Sequence, residues 1–391
     1  MTHLKVPLLD VADLAPDRVQ PFQGTRPYVA TGDLHDDGRL ESASVTYDQR
    51  PSRANLQVRA GDVCLARMRG TTKVREFSAS DELLILSTGF VILRARAGHL
   101  EPAYLRNYLL SCEFQTAKDR LCTGAIQPAI TNGGLAELEI PLPPIEEQRR
   151  IAAVLDAADA LRAKRRQAIA KLDTLTEAIF IDMFVKAGTS EWTVSTIDEL
   201  AAPTKGSIRT GPFGSQLLHS EFTDAGVAVL GIDNAVQNRF AWGERRYISH
   251  EKYENLKRYT VFPGDVLVTI MATCGRVAVV PDGIPTAINT KHLCCITLDQ
   301  GRCLPDYLWG CLSIHPDVRR QLGATRGAVM PGLNMGIIGR AEIPVPPLSL
   351  QGSFAGSKSS VDRRVAELRD SESRLDTLFA SLQQRAFRGE L

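Results

Sequence analysis

No glycine in this chain is followed by lysine, so the loop G-x-x-x-x-G-K-[ST] that cradles ATP phosphates is excluded. No G-x-G-x-x-G follows a strand-like run, no G-x-S-x-G is present, and no Asn/Asp-Pro-Pro-aromatic string of the kind amino-methyltransferases use on a flipped base occurs. Pro281-Asp282 could open a nuclease-type acidic cluster, but Ile288-Asn289-Thr290-Lys291 supplies no carboxylate to continue it. The eight cysteines form no C-x-x-C pair and the seven histidines no H-E-x-x-H, which argues against a metal site and for reduced thiols in a cytosolic (cytoplasmic) core. No apolar run approaches a membrane span, and the opening Met1-Thr-His-Leu-Lys5 lacks the pattern of a secretion signal. Excess charge is lacking too: 46 Lys+Arg face 45 Asp+Glu, a net charge of +1, so bulk electrostatics name no partner. With 44% hydrophobic and 23% charged residues over 391 positions, an ordinary globular protein of two or three domains is expected, and no catalytic residue is identified.

What is present is a duplication. Ile140-Pro-Leu-Pro-Pro144 recurs as Ile343-Pro-Val-Pro-Pro347, an offset of 203 residues. The same offset pairs Leu172-Asp-Thr-Leu175 with Leu375-Asp-Thr-Leu378, Gly61-Asp-Val63 with Gly264-Asp-Val266, and Pro102-Ala-Tyr-Leu105 with Pro305-Asp-Tyr-Leu308. Gly124-Ala125, Pro128, Gln148 and Phe184 map in that register onto Gly327-Ala328, Pro331, Gln351 and Phe387. So many matches in one register mean a tandem repeat of a unit about half the chain.

Each copy has two parts. Residues 1–140 and 191–343 contain short β-branched or aromatic runs broken by Gly, Pro, Asn and Asp, as in Val261-Phe-Pro-Gly-Asp-Val-Leu-Val-Thr-Ile270, with helices expected over Tyr104–Phe114 and Asp306–Leu322. These read as α+β globules built mainly on antiparallel sheet. Residues 141–188 and 344–391 read as long helices. From Ile145 to Lys186 there is neither proline nor glycine, Pro143-Pro144 fixes the start, and Gly188 follows the end. The second helix carries Val361, Leu368, Leu375 and Leu382 at intervals of seven, so each rod needs a partner and the simplest is the other rod. Gly352 and Gly356 are expected to fray its opening turns.

Charge breaks balance locally. Arg50, Arg53, Arg59, Arg67, Arg69, Lys73 and Arg75 stand against Asp62 alone, which gives either a footprint for phosphates or a solvated basic face. In the second copy, Arg239-Phe-Ala-Trp242-Gly-Glu-Arg245-Arg246-Tyr247 interleaves cations with aromatics, and the loop Lys205-Gly-Ser-Ile-Arg209-Thr-Gly-Pro-Phe-Gly214 is longer than its counterpart. A shared scaffold with divergent loops suits two readers of different sequences.

The chain resembles, over essentially its whole length, the specificity subunit of type I restriction–modification systems. The resemblance rests on Ile140-Pro-Leu-Pro-Pro-Ile-Glu-Glu-Gln148-Arg-Arg-Ile151 leading into a long helix, on its second copy, and on the globule between them. In that globule Gly211-Pro-Phe-Gly-Ser215, Gly231-Ile-Asp-Asn234, Tyr259-Thr-Val-Phe-Pro-Gly-Asp265 and Gly327-Ala-Val-Met-Pro-Gly-Leu-Asn334 look like that family's target recognition domain. The resemblance implies two target recognition domains, each reading half of a split, asymmetric site in double-stranded DNA, and two helices pairing as an antiparallel coiled coil that sets the gap. It implies two methyltransferase subunits carrying S-adenosylmethionine and restriction/translocase subunits carrying ATP and Mg, with no cofactor in this chain. Leu348-Ser-Leu-Gln351 lacks the acidic pair of the first copy, a departure at the second docking surface. Charge, loop position and resemblance together nominate Arg53, Arg67, Arg69, Lys73 and Arg75 in the first domain, and Lys205, Arg209, Arg239, Arg245, Arg246, Arg276 and Lys291 in the second, as DNA-binding residues. A duplicated adaptor for protein partners and a stand-alone DNA modification enzyme remain the alternatives.

Overall fold

A glycine turns the chain into the central strand of each copy. Gly61 and Gly264 hold φ at +81° and +82° in the computed structural model, which describes residues 3–15, 17–186, 192–323 and 333–391. Only glycine takes this left-handed backbone without a Cβ penalty. The aspartate that follows folds its carboxylate back onto the turn: the Arg59 amide donates to Asp62 Oδ2 and the Phe262 amide to Asp265 Oδ2, each at 2.9 Å. Pro16, Gly188 and the stretch from Gly327 to Gly332 lie outside the described residues.

The chain divides into two compact units, Met1–Arg166 with Asp370–Leu391, and Gln167–Arg369. In the first, strands Ala12–Leu14, Phe90–Ala95, Asp62–Ala66 and Val74–Glu76 form an antiparallel sheet in that spatial order. A second sheet orders Ala43–Val45, Arg26–Val29, Ile85–Ser87 and Ala54–Gln57, its central pair parallel. A two-stranded ribbon joins Lys5–Pro7 to Glu139–Pro141. Side chains alternate along a strand, and here both faces are covered. Val63 and Leu65 enter a core with Tyr104, Leu105 and Leu109, while Cys64 and Ala66 enter another with Val29, Phe77 and Leu86.

The second unit repeats this plan. Its antiparallel sheet runs Ile208–Thr210, Leu293–Ile296, Val266–Thr269, Val277–Val279. Its mixed sheet runs Tyr247–Ile248, Val227–Leu230, Ala287–Asn289, Thr260–Val261, again with the central pair parallel. Thr193–Thr196 pairs with Glu342–Val345 as the ribbon. Burial pushes the Cys64, Cys294 and Cys303 thiols up to about 12, so they are inert core residues.

Where a single helix was expected in each globule the chain makes two: Pro102–Leu109 then Cys112–Arg120, and Pro305–Ser313 then Pro316–Gln321. Ser111 caps the second helix of the first pair by accepting the Phe114 amide, and Pro316 opens the second helix of the other. A hydroxyl cap or an N1 proline restarts a helix in a new direction.

Two long helices, Ile145–Ile181 and Leu348–Arg388, each pass through both units. Gln148 and Gln351, both fully buried, fix their first turns. Gln148 accepts the Glu101 amide and donates to the carbonyls of His99 and Pro143; Gln351 accepts from Leu304 and donates to Arg302 and Pro346. In the first unit Ile151, Ala152 and Leu155 pack with Ala386 and Phe387, and Arg162 Nε donates to Asp376 Oδ1 at 2.6 Å. In the second, Ile169 packs with Val361, Val365 and Leu368, and Phe180 and Phe184 meet Phe354 with ring centres 5.2 and 5.6 Å apart. Within each unit rising numbers on one helix meet falling numbers on the other, so the pairing is antiparallel.

The second helix is unbroken through Gly352 and Gly356, against the expected fraying. Phe354 is fully buried between them, and the Gln351 anchor holds the preceding turn, so tertiary packing overrides the weak propensity. Val361 and Leu368 of the heptad row are buried and Leu375 and Leu382 half-buried, whereas Leu161 and Leu378, off that row, remain 59% and 54% exposed. No helix among the described residues is long and apolar enough to cross a membrane.

Candidate nucleic-acid interface

In each unit the parallel strand pair and the central hairpin end together and bring several loops into one cluster. In the first unit the hairpin tip Arg67–Lys73 joins Asp62–Ala66 to Val74–Glu76. The Arg67 amide donates to Gly89 O (3.0 Å), Lys73 Nζ to Thr31 O (2.8 Å) and the Thr88 amide to Arg53 O (2.9 Å), which ties the tip to the neighbouring turns. In the second unit the corresponding tip runs from Ile270 to Arg276; Ile270 N–H donates to His292 O and Thr290 N–H to Leu230 O, each at 2.9 Å.

The cations of the first unit mostly brace this cluster. Arg67 donates through Nε, Nη1 and Nη2 to Phe90 O, Ile130 O and Asn132 Oδ1, and burial holds its pKa below the usual arginine value. Arg69 reaches Asp119 O and Cys122 O at 3.0 and 3.2 Å. Lys73 bonds the carbonyls of Thr31 and Gly32, and Arg75 bonds Gly38 O at 2.6 Å beside Asp81. Lys118, which the sequence reading passed over, is fully buried and donates to Met68 O and Thr71 O, pulling the hairpin onto the Cys112–Arg120 helix. Of the five nominated residues, Arg53 alone is exposed with no side-chain hydrogen bond or ion pair among the described residues.

The second unit distributes its cations differently. Arg245, Arg246 and Lys291 lie at the loop cluster around His292, while Arg276, at the end of the hairpin tip, lines the same cavity as Arg239. Arg245 stacks over Trp242 at 5.4 Å, Arg246 pairs with Asp233, and Arg276 and Lys291 make no side-chain hydrogen bond or ion pair among the described residues. Arg239 faces the long helices instead, 2.7 Å from Asp173 and 3.6 Å from Asp362, in a cavity of about 550 Å³. Lys205 is exposed at the opposite end of the sheet, in the turn between Ala202 and Ser207, whose backbones both bond Thr297. Arg209 is not on the surface. It is 9% exposed, donates to Asp265 Oδ2 at 2.8 Å, and Asp265 also accepts from Thr297 Oγ1 and the Cys295 thiol. A buried arginine tied to a buried aspartate closes a core rather than meeting a ligand.

Around these cations the second cluster leaves polar atoms open. Asp233 Oδ2, Arg246 Nε, Asn289 Oδ1 and Thr290 Oγ1 are buried with no partner among the described residues. Buried polar atoms are nearly always satisfied, so these four, beside the ends of strands Val227–Leu230, Tyr247–Ile248 and Ala287–Asn289, have bonding capacity that water or a ligand can take up. Gly243 permits this packing, since a Cβ there would lie 2.3 Å from Asp233 Oδ2. His292 sits in the same turn; burial first, then Lys291 and Arg246, depress its pKa, so its imidazole is neutral at pH 7 and offers one donor and one acceptor. The sequence offered Asp233 and Asn234 as a string, but nothing in it signalled His292 or the open atoms, which exist only once the strands are aligned. No group of His, Cys, Asp and Glu among the described residues is arranged to hold a metal ion.

Donors, acceptors and unpaired guanidinium groups at a loop cluster can bind phosphate oxygens and base edges. Comparison with known proteins points the same way. A family described as the type I restriction modification DNA specificity domain matches the chain twice, over residues 10–172 and 189–367. Two Methanocaldococcus jannaschii proteins named as type I restriction enzyme specificity subunits are similar. One is 23% identical over 323 residues (79% of this chain, 73% of the relative), the other 21% identical over 299 residues (72% and 68%). A solved chain from work on complex assembly and conformational transition of the type I R-M system shares the fold with a TM-score of 0.60. It is 21% identical, with 100% of this chain and 98% of that chain covered.

Proposed function

The chain belongs to the type I restriction modification DNA specificity family, and from this premise we propose that it is the non-catalytic DNA-reading subunit of a type I restriction–modification complex. Each unit lays its loop cluster on one half of a split, asymmetric site in duplex DNA, and the antiparallel helices set the number of unread base pairs between the halves. Two methyltransferase subunits supply S-adenosylmethionine chemistry, and restriction/translocase subunits supply ATP- and Mg-dependent chemistry; this chain supplies position and sequence choice. Among the nominated residues of the first unit Arg53 is the one free to reach DNA, and Arg67, Arg69, Lys73 and Arg75 hold the loops that do so. In the second, Arg245, Arg246, Arg276 and Lys291 contact DNA together with the open atoms of Asp233, Asn289 and Thr290.

The observation that carries this reading is the repetition of one scaffold under two different loop clusters. Sheet order, ribbon and glutamine anchor recur, while the cations and open polar atoms do not. A protein that reads one symmetric site would need no such divergence. The family match favours this over a protein-binding adaptor or a self-sufficient enzyme.

The test is a change of length. Leu172 and Val365 belong to one packed cluster of the helical pair. One heptad inserted between Leu172 and Leu175, with a matching heptad at Val365, keeps that seam in register and lengthens both helices. Base-resolution methylation mapping in a host expressing the chain with its partners is expected to show a longer gap between unchanged half-sites. Altered half-sites with an unchanged gap would overturn the proposal.

A further inference from the structure

The largest unexplained apolar exposure in the first unit lies beside the reading hairpin. Ile126 is 95% exposed, at the tip of a loop closed by reciprocal hydrogen bonds between Thr123 and Ala129 of 3.1 and 2.9 Å. The loop is built, not slack: Gly124 holds φ at +120° at its entrance, and Pro128 O accepts the Arg69 amide at 2.9 Å at its exit. The Ile130 amide donates to Arg67 O at 2.9 Å, so the segment continues the edge of the hairpin. Arg69 grips the other side through Asp119 O and Cys122 O. An isoleucine is thus held out into solvent by a scaffold fixed on both flanks.

The repeat makes this more than a stray surface residue. Gly124-Ala125-Ile126-Gln127-Pro128 corresponds, at the common offset, to Gly327-Ala328-Val329-Met330-Pro331. Glycine, alanine, a β-branched apolar residue and proline stand in the same places in both. The neighbouring hairpin tips share far less: Arg67-Met-Arg-Gly-Thr-Thr-Lys73 against Ile270-Met-Ala-Thr-Cys-Gly-Arg276. Loops that distinguish two half-sites must differ, and a loop kept alike performs a task common to both. The second copy lies outside the described residues, so the geometry rests on the first.

Resting on the DNA-reading function proposed above, we infer that Ile126 is a sequence-independent wedge, an apolar side chain that inserts between base steps at the edge of the first half-site. Apolar wedges of this kind partially unstack a step and gain the contact area that the deformation opens. The Gln127 amide, next in the loop and also exposed, can bond the sugar-phosphate edge beside it.

The test uses the full chain reconstituted with its methyltransferase partners and duplexes carrying 2-aminopurine at single steps of the first half-site. Ile126→Ser should weaken binding about tenfold to a hundredfold, since the lost contact is a buried isoleucine, and should abolish the fluorescence rise at one step. Ile126→Leu should retain both. Methylated positions should stay the same, and thermal unfolding should not shift because the side chain is almost wholly exposed in the free protein. Wild-type affinity and fluorescence in Ile126→Ser would overturn the wedge while leaving the DNA-reading function intact, and a changed base preference would overturn its sequence independence. Absence of DNA binding by the wild-type complex would overturn the functional reading itself and the wedge with it.

Discussion

The two units share a backbone plan and divide their charged side chains differently. Gln148 and Gln351 make the same three bonds to residues related by the repeat offset, and Tyr104 and Tyr307 each donate to the carbonyl of the second proline-flanked strand, Pro141 and Pro344. The central aspartate is equally fixed, since Asp62 and Asp265 bind the same turn amide. Its arginine is not. In the first unit Arg94 comes from the neighbouring strand Phe90–Ala95 and binds Asp62 through Nε and Nη2 at 2.7 and 2.9 Å. In the second, position 297 is threonine, and Arg209 arrives from the edge strand Ile208–Thr210 instead. A carboxylate locked by a backbone turn demands a cation but does not care which strand supplies it.

That difference predicts unequal consequences for the same substitution. Asp265→Ala leaves Arg209 enclosed with no anion and should cost about 3–5 kcal/mol, the usual penalty for breaking a buried pair. Asp62→Ala should cost less, about 1–3 kcal/mol, because Arg94 keeps Asp17 at 2.7 Å and is 31% exposed. Urea unfolding of the full-length variants measures both. Equal losses would mean that the two networks are equivalent in energy despite their different geometry.

The shared anchor predicts the opposite pattern. Gln148→Ala and Gln351→Ala each strand one amide and two carbonyls at the first turn of a long helix. Each should lose about 1–3 kcal/mol by the same measurement, the range for orphaned buried groups. The comparison breaks if one loss is much smaller, because that would show water replacing the side chain in one unit only.

Much of this plan was legible before any coordinates. The offset of 203 residues located both glycine-led strands and both helix starts, because turns and buried anchors demand particular residue types. The destination of each cation was not legible. Arg67, Arg69 and Lys73 read as a basic footprint, yet they end on backbone carbonyls contributed by segments up to 63 residues away. Charge density along a sequence does not reveal which carbonyls lack a donor once the chain has folded. Helix propensity misled for the same reason: Gly352 and Gly356 are poor formers, but Phe354 and Gln351 dock that turn regardless.

The smallest expected effect sharpens the division most. Lys73 and Arg276 occupy equivalent places at the ends of their hairpins, one bonded to Thr31 O and Gly32 O, the other exposed with its side chain unengaged among the described residues. Arg276→Ala should therefore leave stability within about 0.5 kcal/mol, as surface changes do. It should weaken DNA binding by the reconstituted complex by about 1 kcal/mol and make the slope of affinity against salt shallower by about one counterion. Lys73→Ala should do the reverse first, loosening the tip as faster amide exchange at Thr31 and Gly32, with affinity falling only through the disordered loop. Titrating salt for both variants separates a cation that meets phosphate from one that holds a loop in place. An identical change of slope in the two would mean that Lys73 leaves its carbonyls to meet DNA, and that the first unit's bracing gives way on binding.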